Sequence, residues 1–352
     1  MRYLFLLIAP LLLLAQMPTQ QEMQTRTQVL MGTFVSITLP KTDHDKITRS
    51  FELIKEIEAS LSTYDPNASL FMLNQTHRIA FDPYLEEAIS LSKEYYQQTH
   101  GYFDITIGAI SKKLYHFGEE ETYSPSVTEL QDAYLDIRGI TIDSRHILTD
   151  ENITLDLGGM GKGYGADKVA QYLGEQNITE GIIALSGDIR CLNHCEIYLQ
   201  SPYSEQTFAR VKSKNPQLSV STSGTYRRFA NTKEEHHLID PKTASQGREF
   251  VSVSLFTTAD NAKIDAYATA LSVMPKADAL AWLKNRKDIG FVIVDKEGNI
   301  LYGNVADLVD IEWLDYRETQ TSPSRSKNNS TKPATATSLI HPDTTNPKVI
   351  AK

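Results

Sequence analysis

Three stretches of this 352-residue chain hold residue types at spacings that chemistry can use. In Asp156-Leu157-Gly158-Gly159-Met160-Gly161-Lys162-Gly163-Tyr164-Gly165-Ala166-Asp167, five glycines between Gly158 and Gly165 let the backbone turn tightly and approach a ligand without Cβ clashes. A turn of this kind entering a helix offers N–H groups and the positive dipole end to an anion. Lys162 adds a mobile positive charge. The run is neither G-x-G-x-x-G nor a Walker A loop, so a ligand-free strand-to-helix connection accounts for it equally well.

In Ile264-Asp265-Ala266-Tyr267-Ala268-Thr269-Ala270, Asp265 and Thr269 project from one helix face a turn apart. Carboxylate, hydroxyl and a backbone carbonyl make a reasonable Mg2+ set, completed by water or phosphate oxygens. On spacing alone the pair is more readily the wet face of an amphipathic helix, with Ile264, Tyr267, Leu271 and Met274 as its core face. In His236-His237-Leu238-Ile239-Asp240-Pro241-Lys242-Thr243, Pro241 restrains Asp240 to extended geometry. A His at the end of such a strand is a general-base candidate or a polar surface residue. Ser221-Thr222-Ser223-Gly224 offers hydroxyls and a turn, for phosphate or for a tight loop. No Ser/His/Asp order, paired-carboxylate motif or zinc spacing stands out.

The elements that must position these residues are legible in part. Val35, Ile37 and Leu39 alternate with Ser36 and Thr38, giving a half-buried strand over Phe34–Leu39. Ile47, Phe51, Ile54, Glu58 and Leu61 at helical spacing, widened by Leu53 and Ile57, predict an amphipathic helix over Asp45–Leu61. A loop follows over Ser62–Ser69, and a second helix runs from Tyr84 to Thr99, ended by Gly101. Gly118–Ser126 reads as a surface loop. Strands are expected at Ile153–Leu157, Gly181–Leu185, Glu196–Gln200, Ser219–Thr222 and Phe250–Phe256, and a hairpin at Phe291–Asp295 and Asn299–Tyr302. Helices are expected at Gly165–Leu173, Asp260–Met274 and Lys276–Asn285. Strands and helices are interspersed without a βαβ repeat, which predicts a mixed α+β fold.

A net charge of -9 argues against a dedicated nucleic-acid surface. Met1–Gln16 has the basic start and short apolar run of an export signal or N-terminal anchor, without a clear cleavage site. From about Glu318 the composition turns to Ser, Thr, Pro, Asn and Lys, the signature of a disordered tail over 318–352. Cys191 and Cys195 pair only if Leu192-Asn193-His194 turns; an incidental disulfide or two free thiols is favoured over a zinc site.

Together these segments resemble the ApbE family of flavin transferases. Met31-Gly32-Thr33, Leu61-Ser62-Thr63-Tyr64-Asp65 and Gly101-Tyr102-Phe103-Asp104-Ile105-Thr106-Ile107-Gly108 match in order, followed by the glycine run and Leu185-Ser186-Gly187-Asp188. Ser221-Thr222-Ser223-Gly224, His237-Leu238-Ile239-Asp240-Pro241 and Asp265–Ala270 complete the series. Each is weak alone; the ordered set is specific and places one domain at about 25–317.

The resemblance implies an ApbE-like mixed fold with antiparallel-rich sheets flanked by helices. It implies an Mg2+-dependent FAD:protein FMN transferase, which moves FMN from FAD to a Thr or Ser hydroxyl of an acceptor protein and releases AMP. The acceptor would be a flavin-carrying subunit of a membrane redox complex, and the enzyme periplasmic or anchored to the outer face of the inner membrane. By motif position, Met31, Tyr64, Tyr102, Phe103, Asp104, Asp156, Lys162 and Ile239 would line the FAD site. Gly159 (through its carbonyl), Asp265 and Thr269 would hold the metal, and His237 would activate the acceptor hydroxyl. Two other readings share the site: an FAD pyrophosphatase, in which water attacks, and a non-enzymatic FAD-binding protein, which has no need of a metal set. The chain departs from the family at Gly161, where Ala is common, and at Ala244, where Gly is usual and a positive φ would be less comfortable.

Overall fold

The computed structural model describes residues 22–314 and the pair Thr337–Ser338. The leader expected at 1–16 lies outside the described residues, as does the expected tail apart from that pair.

Alternating burial builds a central sheet. Its order is Met23–Leu30, Thr33–Pro40, Ile182–Leu185, Asp188–Cys191, Ser219–Gly224, Phe250–Thr257, Gly290–Asp295 and Ile300–Gly303, with Thr337–Ser338 along the last. Neighbours are antiparallel except at that final pairing. Val35, Ile37 and Leu39 are buried while Ser36 and Thr38 are half-exposed, as the alternation predicts.

Gly290–Asp295 is buried along its whole length because the sheet is covered on both faces. Phe291 and Ile293 join the larger core on the helical side. Val292 and Val294 join a smaller core with Ile197, Leu199, Phe208 and Val211. Those last four belong to a three-stranded sheet of Val309–Trp313, Thr207–Ser213 and Glu196–Gln200. The result is the mixed α+β architecture expected, with antiparallel sheets and flanking helices.

On the helical side, His44–Leu61 buries Ile47, Phe51, Ile54 and Ile57. Gly161–Glu175 packs between it and Asn261–Val273, which lies on Ser219–Gly224 and Phe250–Thr257. Asn261–Val273 is buried nearly all round, so Asp265, only 3% exposed, is not on a wet face.

The structure corrects several expectations. Ile153–Leu157 forms no strand: the Asn74 side-chain amide bonds both main-chain groups of Leu155 (2.8 and 2.9 Å), and Asp156 N reaches Ile105 O at 2.8 Å. These bonds satisfy the buried backbone without a neighbouring strand. Asn74 sits on a short helix, Ser69–Thr76, that begins at the last residue of the expected loop and was not itself expected. The helix expected from Gly165 begins at Gly161, inside the glycine run. The reason is a close approach: a Cβ on Gly163 would lie 2.6 Å from the Asn261 carbonyl oxygen. Helix–helix packing at that point overrides glycine's low helix propensity. Cys191 and Cys195 form a disulfide across the expected turn.

Candidate functional site

One cavity of about 440 Å³ opens where these segments meet. Every candidate named from the sequence lines it: Met31, Tyr64, Tyr102, Phe103, Asp104, Asp156, Gly159, Lys162, His237, Ile239, Asp265 and Thr269.

The metal candidates come together. The Thr269 hydroxyl donates to the Gly159 carbonyl at 3.3 Å, and Asp265 lies one turn before Thr269 on the same helix. Asp265 Oδ2 accepts from Gly163 N at 3.1 Å and from Lys162 Nζ at 3.2 Å. Lys162 Nζ is also 2.8 Å from Asp188 Oδ2, so its charge is held between two carboxylates rather than mobile. Burial, then the neighbouring Asp188 charge, pushes the Asp265 carboxyl above its ordinary range, against the pull of Lys162 and Gly163. Burial pulls the Lys162 ammonium down, but Asp188 and Asp265 outweigh it and hold it above its usual range. Two buried carboxylates around one ammonium leave surplus negative charge, which a cation can offset. Among the described residues no three His, Cys, Asp or Glu side chains cluster as a metal site. The all-oxygen set of one carboxylate, one hydroxyl and one carbonyl nevertheless fits a hard divalent ion.

His237 is half-buried on the loop after Ser219–Gly224. Its Nδ1 lies 3.1 Å from the Arg228 carbonyl, which can only accept, so Nδ1 carries the proton and Nε2 keeps its lone pair. Burial, reinforced by the Arg228 charge, lowers its pKa to about 4. His236 does different work. It is 5% exposed, and its Nε2 donates to the Gly247 carbonyl at 2.9 Å.

Aromatic and polar groups form the remaining walls. The Tyr64 hydroxyl donates to the Phe117 carbonyl at 2.8 Å, and Lys112 Nζ lies 4.1 Å from the Tyr64 ring centroid while donating to its hydroxyl. Lys242 Nζ sits 3.6 Å from the Tyr102 ring centroid. Asp156 accepts from Ser111 Oγ (2.7 Å) and Gly158 N (2.9 Å). Burial raises the Asp156 carboxyl, but Lys112, Ser111 and Gly158 outweigh it and hold it below its usual range. Asp104 spends Oδ1 on Thr106 N and Thr106 Oγ1, capping a short helical turn. Met31 has φ 51 at the hairpin tip, and its N–H donates to Glu58 Oε1 at 2.7 Å.

Sequence reasoning assigned no role to Asp188, Lys112, Arg228 or Glu58, all of which touch this site or its lining. Asp188 stood inside a quoted segment, Leu185-Ser186-Gly187-Asp188, and that was its available signal. Glu58 stood as the one acid in the helical stripe of Asp45–Leu61, and that was its available signal; Lys112 and Arg228 carried none.

The model of the ApbE family matches residues 31–293. The chain is similar to an FAD:protein FMN transferase of Klebsiella pneumoniae strain 342, 28% identical over 289 residues, covering 78% of this chain and 89% of that protein. It is similar to another from Vibrio cholerae serotype O1, 28% identical over 312 residues and covering 80% and 90%. Among solved structures, the flavin transferase ApbE from Vibrio cholerae superposes with a TM-score of 0.69 at 22% identity, covering 83% of this chain and 97% of that one. The ApbE protein of Thermotoga maritima superposes with a TM-score of 0.71 at 22% identity, covering 79% and 96%. The solved structures share the fold and the family model spans the whole cavity-forming region, so the chain belongs to the ApbE family.

Proposed function

We propose that this chain is an Mg2+-dependent FAD:protein FMN transferase, which attaches FMN to a Thr or Ser hydroxyl of an acceptor protein and releases AMP. The carrying observation is that Gly159, Thr269 and Asp265 converge on the wall of a cavity that also holds Lys162, Tyr64 and His237. The names of the relatives support the flavin chemistry.

Mg2+ on Gly159 O, Thr269 Oγ1 and Asp265 would neutralise charge on the anhydride oxygens of FAD. Lys162, in the first turn of Gly161–Glu175, adds its ammonium to the positive end of that helix. The ammonium and the helix end together favour charge accumulating on the AMP side as its bond to phosphorus breaks. The unprotonated Nε2 of His237 takes the proton of the acceptor hydroxyl as the new oxygen–phosphorus bond forms. Tyr64, 45% exposed at the mouth, offers a ring face to the isoalloxazine. The acceptor we favour is a flavin-carrying subunit of a membrane redox complex, met outside the cytoplasm.

The test is to incubate the purified protein with FAD, Mg2+ and such a subunit, then measure subunit mass and AMP. An added FMN mass with matching AMP supports the transferase. AMP with an unchanged subunit indicates water as acceptor, and no AMP leaves only binding.

A further inference from the structure

Asp188 is the buried charge that the proposed reaction leaves without a task. It follows the two-residue turn Ser186–Gly187, which joins Ile182–Leu185 to Asp188–Cys191. That turn is tight by construction: Ser186 has φ 59, and a Cβ on Gly187 would stand 2.9 Å from the Thr222 carbonyl oxygen. The hairpin therefore delivers the Asp188 carboxylate to one place. There it is 1% exposed, accepts from Ser221 Oγ at 2.5 Å, and holds Lys162 Nζ at 2.8 Å.

Lys162 has a second holder in Asp265, at the longer distance of 3.2 Å. Both anchors can serve it only while Asp265 is free to face it. A divalent cation on Asp265 draws that carboxylate's electrons and repels the ammonium. An ammonium on a flexible four-carbon stem, repelled from one side, leaves unless something else fixes it. We infer that Asp188 is a positioning residue that keeps Lys162 in the cavity once a divalent cation has taken Asp265, so that both positive charges face one phosphate anhydride together. Ser221 is part of the device, since its hydrogen bond orients the carboxylate that does the holding. The inference rests on the proposed reading of the site and adds a division of labour between its two carboxylates.

The sign and cation dependence of FAD affinity test it. A buried carboxylate beside the site repels an anionic ligand, so its bare charge predicts that Asp188→Asn strengthens FAD binding. Positioning predicts the opposite, and only when the cation is present. FAD dissociation constants should be measured by stopped-flow flavin fluorescence, with Mg2+ and with EDTA, for the wild type, Asp188→Asn, Lys162→Met, the double variant and Asp265→Asn. With Mg2+, Asp188→Asn is expected to weaken FAD about tenfold, the scale of one hydrogen bond to a charged group. With EDTA the loss is expected to shrink to within about twofold, because Asp265 then holds Lys162. In the Lys162→Met background Asp188→Asn should cause no further loss. Equal weakening with and without Mg2+ means structural damage and overturns the inference, as does any strengthening or full additivity. Should Asp188→Asn fail to fold, Ser221→Ala is expected to show the same Mg2+-dependent loss at about threefold, and a Mg2+-independent loss there overturns the inference too. Asp265→Asn should make FAD affinity indifferent to Mg2+. If it stays Mg2+-responsive, the metal assignment itself is wrong, whatever Asp188 does.

Discussion

The Thr269 hydroxyl lies 3.3 Å from the Gly159 carbonyl oxygen although 110 positions separate them in the chain. One group comes from the turn before Gly161–Glu175 and the other from the middle of Asn261–Val273. Thr269→Val keeps the shape and removes the donor oxygen. It should raise the Mn2+ dissociation constant at least about tenfold, with the fold intact by circular dichroism. Unchanged Mn2+ affinity would remove Thr269 from the metal set.

His237 supplies the pH signature. Its folded-state pKa is lowered to about 4 from the ordinary 6.5, so the neutral imidazole persists as pH falls and is lost only through about 4. At saturating Mg2+, transfer should show no His237-dependent acid limb between about pH 5 and 8. His237→Ala should slow transfer about 10²- to 10⁴-fold while changing FAD affinity much less. An acid limb near 6.5 that disappears in His237→Gln would contradict the buried-base assignment. The same lowering links to stability. Between the two values the unfolded chain binds a proton that the folded chain does not, so this group's contribution falls as pH drops from about 6.5 toward 4.

Two glycines of one run should respond oppositely. A Cβ on Gly161 meets nothing nearer than Met31 Cε at 3.7 Å, so Gly161→Ala should stabilise by about 0.4–1 kcal/mol. Gly163→Ala presses on the Asn261 carbonyl oxygen at 2.6 Å and should destabilise by about 1–3 kcal/mol. Urea melts of both variants decide this; equal effects would mean that the two helices are not held at the described separation.

Ala244 has φ 54, a left-handed conformation that glycine would take without strain. Ala244→Gly should therefore stabilise, by about 1 kcal/mol or a melting shift of about 2–4 °C. A drop in melting temperature would show that the turn tolerates the methyl.

What the sequence revealed depended on whether a signal was local. Ile47, Phe51, Ile54 and Leu61 repeat at the helical period, so His44–Leu61 was visible almost to the residue. The strand Thr33–Pro40, expected over Phe34–Leu39, was visible through alternation. Ile153–Leu157 misled because its alternation of apolar Ile153, Leu155 and Leu157 with Thr154 and Asp156 fits a strand, whereas a distant Asn74 supplies its hydrogen bonds. The start of the helix at Gly161 was hidden because its cause, contact with Asn261, lies in another element. At the site, Asp265 and Thr269 were readable from an i, i+4 spacing on one helix. That Asp265 faces Lys162 rather than solvent depends on packing between helices 103 positions apart, which no local pattern encodes. Lys112 escaped notice for the same reason, as its partners Tyr64 and Asp156 come from two other segments.

The central claim is that Asp265 and its bound cation act on the FAD anhydride rather than merely on FAD binding. The direct measurement is to follow AMP release and FAD affinity side by side in Asp265→Asn, with Mg2+ and acceptor present. The account predicts FAD bound within about tenfold of wild type and no detectable AMP or flavinylated acceptor. AMP released at the wild-type rate by that variant would contradict it.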